Sequence, residues 1–228
     1  MNLKMKKIIL LFISVVLLFS CKKDQQDKPF EETISSGKKW GIQIGSSPAA
    51  VYTQIQKMSK EKEFSTIIIA NQKTYSKPEE LKDRLELYQG LSLEKTDPAA
   101  RLFFQFYQGK IVYIADFSTN PSDLTKWPKD ATDEMAIHKN DPVNTLYAKL
   151  VNLYKIPAYA NYKMRLSVKQ LDTAFDQDMA VDEEWDFNFS VPLKVNDGTM
   201  GSSYVRLIFK NNKLSLIKHS YTVGIVYN

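Results

Sequence analysis

The chain cannot close a disulfide within itself, because Cys21 is its one cysteine. Its core must therefore be held by packing alone. Histidine is nearly as scarce. His138 falls in a charged connection and His219 in a terminal strand, and each reads as an ordinary surface residue rather than a base or a metal ligand. The eight glycines are few for a phosphate-cradling loop, and no such motif occurs. Gly45-Ser46-Ser47 stands between strand and helix, where a nucleophile can sit, but Gly-x-Ser-x-Gly is missing and a helix cap explains the serines better. No apolar run approaches the roughly 20 residues that a membrane-spanning helix needs. The missing catalytic groups argue against an enzyme, and no cofactor or metal is expected.

What is present begins at the first residue. Lys4, Lys6 and Lys7 make a basic start, Ile8 to Phe19 is apolar apart from Ser14, and Leu18-Phe19-Ser20 leads into Cys21. This is the layout of a secretory signal peptide. With Leu three places before the cysteine and a small residue directly before it, the segment resembles the bacterial lipoprotein class. The resemblance covers residues 1–21. It implies removal of residues 1–20, lipidation of Cys21 as the mature N-terminus, and a lipid anchor in the outer membrane facing the periplasm or the cell surface. The alternatives are an uncleaved anchor or a plain signal peptide with a chance cysteine. A lone thiol in an oxidising compartment is a liability unless it is lipidated, which favours the lipoprotein reading.

The formal charge of +5 first suggests an acidic partner. Three of the positive charges lie in the segment to be removed, which holds no acid, and no helix carries a Lys/Arg stripe. Nucleic-acid binding is therefore not expected. Residues 21–39 are polar, starting Lys22-Lys23-Asp24-Gln25-Gln26-Asp27-Lys28, and read as a flexible tether. They resemble the post-cysteine segments of Bacteroidota-type lipoproteins, in which lysine followed by acids can direct surface display. The acids here are not contiguous, so periplasmic residence stays open.

From Trp40 onward the pattern is that of a folded α+β chain. Gly41 to Ile44 suggests a short strand. Ser46 or Ser47 with Pro48 opens a helix bearing Val51, Ile55 and Met58. Phe64 to Ala70 reads as a strand, and Pro78 opens a helix with Leu81, Leu85 and Tyr88 on one face. Strands follow at Arg101 to Tyr107 and Lys110 to Phe117 around Gln108-Gly109. Asp141-Pro142 opens a helix carrying Leu146, Leu150, Leu153 and Tyr154, and Ser167 caps another with Leu171 and Phe175. Trp185, Phe187, Phe189, Val191 and Leu193 alternate as in a half-buried strand.

Phe106 to Ile114 also matches Phe209 to Ile217, and Ile44 to Ile55 matches Leu166 to Phe175. These matches suggest two diverged strand-helix-strands repeats, residues 40–120 and 141–228, joined by a connection at 121–140, with helices packed on antiparallel sheet. In Gly45-Ser46-Ser47-Pro48-Ala49-Ala50-Val51 and the Phe106 to Ile114 hairpin, the chain resembles the tandem-repeat β-lactamase-inhibitor protein and BamE-like lipoproteins. That resemblance implies a protein-binding fold.

Three surface features carry candidate chemistry. Asp176, Asp178, Asp182, Glu183, Glu184 and Asp186 are dense enough in oxygen to suggest calcium, but the central glycine of a calcium loop is missing. Trp40, Trp127 and Trp185 raise the possibility of a sugar-stacking platform, although alternation makes Trp185 a core residue. The third feature is a sheet face. Strict alternation places Leu102, Phe104, Phe106, Ile111 and Tyr113 on one face of the first hairpin, and Val205, Leu207, Phe209, Leu214 and Leu216 on one face of the second. The opposite face then carries Phe103, Tyr107, Ile114, Tyr204, Arg206, Ile208 and Ile217. Phe103, Tyr107, Tyr204, Arg206 and Ile208 form the candidate partner-binding set, being the aromatic and arginine mixture of a recognition surface. The expectation is a membrane-anchored, non-catalytic module that binds another envelope protein, for assembly, inhibition or scaffolding. The alternative is a surface module for glycan or calcium.

Overall fold

The structure is a computed structural model describing residues 28–70, 72–95, 101–117, 122–193 and 199–225. Cys21, the signal segment and the start of the tether lie outside the described residues. The strands are β1 (Phe30–Ile34), β2 (Lys38–Lys39), β3 (Ile42–Gln43), β4 (Thr66–Ile69), β5 (Tyr88–Glu94), β6 (Arg101–Tyr107), β7 (Lys110–Asp116), β8 (Ser122–Asp123), β9 (Lys126–Trp127), β10 (Ile137–His138), β11 (Lys163–Gln170), β12 (Glu184–Pro192), β13 (Thr199–Lys210) and β14 (Lys213–Ile225). The described residues hold two α-helices, α1 (Pro48–Lys62) and α2 (Val143–Leu153).

Ten strands form one antiparallel sheet in the order β1-β14-β13-β12-β4-β11-β5-β6-β7-β8. This overturns the expected repeat fold. The described residues are 45% strand and 21% helix, dominated by a single large sheet rather than by helices packed on repeated units. Each helix also covers strands from the other part of the chain. Val51, Tyr52, Ile55 and Met58 of α1 pack with Phe187, Val205 and Leu207. Leu146, Leu150 and Leu153 of α2 pack with Leu91, Phe104 and Ile114. The strands that follow the helices, β4 and β11, pair with each other at Ile67–Lys169 and Thr66–Gln170 and join the two sides. Truncating a core residue such as Leu150, which is 0% exposed, is expected to cost about 2–5 kcal/mol.

Three elements differ from the sequence expectation for local reasons. Ser167 caps no helix, because Met164 and Leu166 alternate within β11 and pair with Leu93 and Leu91 of β5. Leu171 and Phe175 are spaced like helix neighbours but lie beyond that strand. After Pro78 the chain makes two short 3-10 turns, Pro78–Leu81 and Leu85–Leu87, and Tyr88 begins β5. Part of the span read as tether is ordered: β1 pairs with β14 from Phe30–Tyr221 to Ile34–Ile217.

Helix α1 begins as its residues require. Ser47 is extended and its side chain accepts a hydrogen bond from the Ala50 amide, with Pro48 in the first turn. The helix ends at Glu63, which adopts left-handed geometry at φ 56.

The two long hairpins turn through Gln108-Gly109 and Asn211-Asn212, and all four residues have positive φ. That geometry matches the twist of the flanking strands. Each hairpin also carries a register shift, between Gln105 and Phe106 and between Ile208 and Phe209. The bulge reverses the alternation. Ile111 and Ile114 are consequently both buried, as are Leu214 and Ile217. Tyr113 and Leu216, assigned inward by strict alternation, are only half-buried.

Candidate functional site

On β13, Val205, Leu207 and Phe209 enter the core beneath α1, so Tyr204, Arg206 and Ile208 project from the other face. Arg206 is held in place there. Its Nε donates to Asp186 Oδ1 at 2.9 Å and its Nη2 donates to Asp186 Oδ2 at 3.2 Å. Nη2 also donates to the Tyr204 hydroxyl at 3.0 Å, and Glu184 lies 3.5 Å from Nη1. The hydrogen bond to Asp186 raises the guanidinium pKa, so Arg206 stays charged. Two apolar groups flank this fork. Ile68 is 56% exposed and is paired in register with Asp186, and Ile208 is half-buried opposite Glu184. Tyr204 is 41% exposed. The face therefore presents a rigid planar cation, an aromatic ring and branched aliphatic groups, all side-chain types that anchor protein interfaces.

The other two candidate residues lie elsewhere. Phe103 sits on β6, five strand positions from β13, or about 24 Å at roughly 4.8 Å per strand. Its ring covers Gly90 so closely that a Cβ there would lie 3.0 Å from two ring carbons. Tyr107, at the tip of the β6–β7 hairpin, shares a depression with Ser59 and Phe64 at the end of α1. It is thus on the helix side, whereas Tyr204 faces away from α1. The five residues do not form one patch; Tyr204, Arg206 and Ile208 do.

His219 is buried, not on the surface. Its Nδ1 lies 2.8 Å from Glu32 Oε1 and its Nε2 lies 3.0 Å from Ser203 Oγ. A carboxylate only accepts, so Nδ1 carries the proton and Nε2 accepts from Ser203. The connectivity is that of a nucleophile relay, but Ser203 is 2% exposed. Its backbone lies between β12 and β14, paired with Phe189 and Tyr221. A substrate carbonyl cannot reach Oγ, and the ladder leaves no pair of free amides to stabilise an oxyanion. The chain instead ties edge strand β1 to the sheet. Burial lowers the His219 pKa, the Glu32 bond raises it in part, and Lys39 lowers it further. Burial raises the Glu32 pKa, but its bonds to Lys39 and His219 prevail and hold it below the usual carboxylate value.

A second buried polar group lies where β4 meets β11. Lys169 is 0% exposed. Its Nζ donates to the Tyr52 hydroxyl at 2.8 Å, to the Gln170 carbonyl at 2.9 Å and to the Thr173 hydroxyl. Burial brings its pKa down to about 8, with Asp176 and Asp172 opposing. Burial likewise pushes Tyr52 up to about 12. Val168, just before it, has φ 58, a costly conformation for a β-branched residue. That twist lets Leu166 and Lys169, three residues apart, both enter the core. Nearby, Asp176 accepts from Arg84 and from the Tyr88 hydroxyl at 2.9 Å. Asp178 accepts from the Tyr75 hydroxyl at 2.8 Å and from Lys73 at 3.2 Å.

The first acids of the acidic run are therefore engaged with tyrosine, arginine and lysine. No group of three or more His, Cys, Asp or Glu side chains among the described residues is arranged to hold a metal ion. The tryptophans build no platform either. Trp185 and Trp127 are buried at 0% and 7% exposure, and Trp40 packs edge-on against Phe189 and His219.

Sequence reasoning missed Lys169, Asp186 and Ser203. A lysine or serine within an alternating strand gives no sign of which face it takes. Asp186 was legible only as part of an acidic run. Compared with known protein families, curated proteins and solved structures, the chain matches none.

Proposed function

We propose that this chain is an envelope lipoprotein, anchored through Cys21 in the outer membrane, that binds another protein without catalysing a reaction. The basic start, the apolar run and the lone Cys21 support the anchor and the location. The observation that carries the binding role is the fork between Arg206 and Asp186, beside Tyr204, Ile68 and Ile208 on the face that α1 leaves uncovered. A fixed side chain loses little conformational entropy on binding, and arginine and tyrosine dominate the energetic centres of interfaces. The closed state of the Ser203–His219–Glu32 chain supports a structural role for the residues that most resemble a catalytic set.

The test is a double substitution, Tyr204→Ala with Arg206→Ala, in the full-length lipidated protein. Partner recovery after mild cross-linking in cells should fall by roughly tenfold or more, the loss of about 1.4 kcal/mol or more, with the melting curve still cooperative. Undiminished recovery from a folded variant would refute the site. Cys21→Ser should move the protein out of the membrane fraction independently of partner binding.

A further inference from the structure

A groove crosses the helix side of the molecule where the two parts of the sheet join. It runs over residues 170–173, between the end of α1 and the β6–β7 hairpin. It consists of two adjoining depressions that share Tyr107, Gln108, Gln170 and Asp172. Tyr107, 61% exposed, is common to both and offers its ring to an occupant. One depression adds Gln89 and Phe64, whose ring stacks on Phe187 at 5.1 Å with an interplanar angle of 4°.

The floor is fixed from below. Gln170 Nε2 donates to the Glu86 and Tyr88 carbonyls at 3.1 and 3.0 Å, which sets its amide plane. Thr173 donates to the Gln170 carbonyl at 2.8 Å and is itself held by buried Lys169. Three side-chain amides, the carboxylates of Asp172 and Glu86 and an exposed ring thus line a prearranged surface.

We infer that this groove binds a neutral polyhydroxylated ligand, an oligosaccharide, with Tyr107 stacking between successive sugar units. Amides and carboxylates together donate to and accept from hydroxyl groups. An exposed tyrosine gives a flat apolar face at low entropic cost. The charges disfavour an anion, since Lys60 is answered by Asp172 and Glu86. The groove is open and its lining mixes polar and apolar groups, as the hydroxyl edges and C–H faces of sugar rings require, without the enclosed apolar pocket that anchors a peptide side chain. The site is separate from the Arg206 face and does not depend on it.

The experiment titrates the isotopically labelled full-length protein in detergent micelles with cellohexaose, mannohexaose, chitohexaose and xylohexaose at roughly millimolar concentrations, where weak binding is visible. At least one probe should shift the backbone signals of Gln108, Gly109 and Asp172. Tyr107→Ala should weaken that binding roughly tenfold, and Asp172→Asn should weaken it less. Tyr204→Ala should leave it unchanged. No shift with any of the four sugars, equal binding by Tyr107→Ala, or stronger shifts from a polyglutamate or mixed-sequence peptide would each overturn the assignment.

Discussion

Arg206 and Asp186 face each other across β13 and β12 as a two-point fork, at 2.9 and 3.2 Å, on the face of the sheet turned away from α1. Asp186 is 9% exposed while the Arg206 side chain keeps 38% of its surface in solvent. The aspartate is covered by the fold and the guanidinium edge is left in solvent. Asp186→Ala should therefore loosen Arg206 and weaken partner binding nearly as much as Arg206→Ala, although position 186 is largely covered. Replacing Arg206 strands a buried carboxylate, so Arg206→Ala should destabilise the fold by about 1–2 kcal/mol in urea unfolding.

Lys169 makes stability rise with alkaline pH before tyrosine ionisation reverses it. Its folded pKa, about 8, lies below the ordinary 10.5. Between those values the unfolded chain holds the proton more tightly, so stability increases as pH rises. Tyr52 works the other way: raised from 10 to about 12, it keeps its proton in the fold and stability falls above pH 10. Urea midpoints should climb from pH 8 toward 10 and then drop. Lys169→Met should remove the climb, whereas Lys169→Ala, which leaves a cavity, should cost about 2–4 kcal/mol at pH 7.

Asp182 should cost stability at neutral pH. Burial first, then Asp178 and Asp176, push its pKa up from 3.8 to about 7. As pH rises from 3.8 to 7 the unfolded chain releases this proton and the fold does not, so stability falls across that window. Asp182→Asn should raise the melting temperature at pH 8 and leave it nearly unchanged at pH 4. An equal change at both values would show that ionisation is not the cause.

Strand β1 should loosen in acid. The groups facing His219 are Glu32 on β1, Lys39 on β2 and Ser203 on β13, with the rings of Phe30 and Trp40. The docked ring has a pKa below 6.5, so a released ring binds the proton first and β1 docking weakens as pH falls through 6.5. Glu32, held below 4.5, adds to the loss at lower pH. Amide exchange at Glu32 and Ile34, corrected for intrinsic rate, should be faster at pH 5 than at pH 7. His219→Gln should remove that difference.

The sequence was most legible where one local signal decides the outcome. The Ser47–Pro48 entry and the two positive-φ turns follow from short-range chemistry, and α1 and both hairpins stand where those signals place them. Helix α2 also starts after Asp141–Pro142, but Pro142 is its cap residue and the Asp141 carboxylate caps nothing, accepting instead from the His138 amide and from Lys149. Long-range pairing was hidden. Nothing local states that β4 pairs with β11, or that α1 covers strands more than a hundred residues away. Ser167 with Leu171 and Phe175 four apart reads as a helix entry, a spacing that the end of strand β11 followed by a turn also allows. The candidate face was half legible. Tyr204, Arg206 and Ile208 follow from alternation, but the bulges at Gln105/Phe106 and Ile208/Phe209 reverse the faces of Ile114 and Ile217.

The binding role of the Arg206 face is tested most directly by Tyr204→p-benzoylphenylalanine, irradiated in intact cells, with Thr53→p-benzoylphenylalanine on α1 as the control. Position 204 should give one discrete protein adduct that Arg206→Glu abolishes, and position 53 should give none. No adduct from 204, or the same adducts from both positions, would contradict the account.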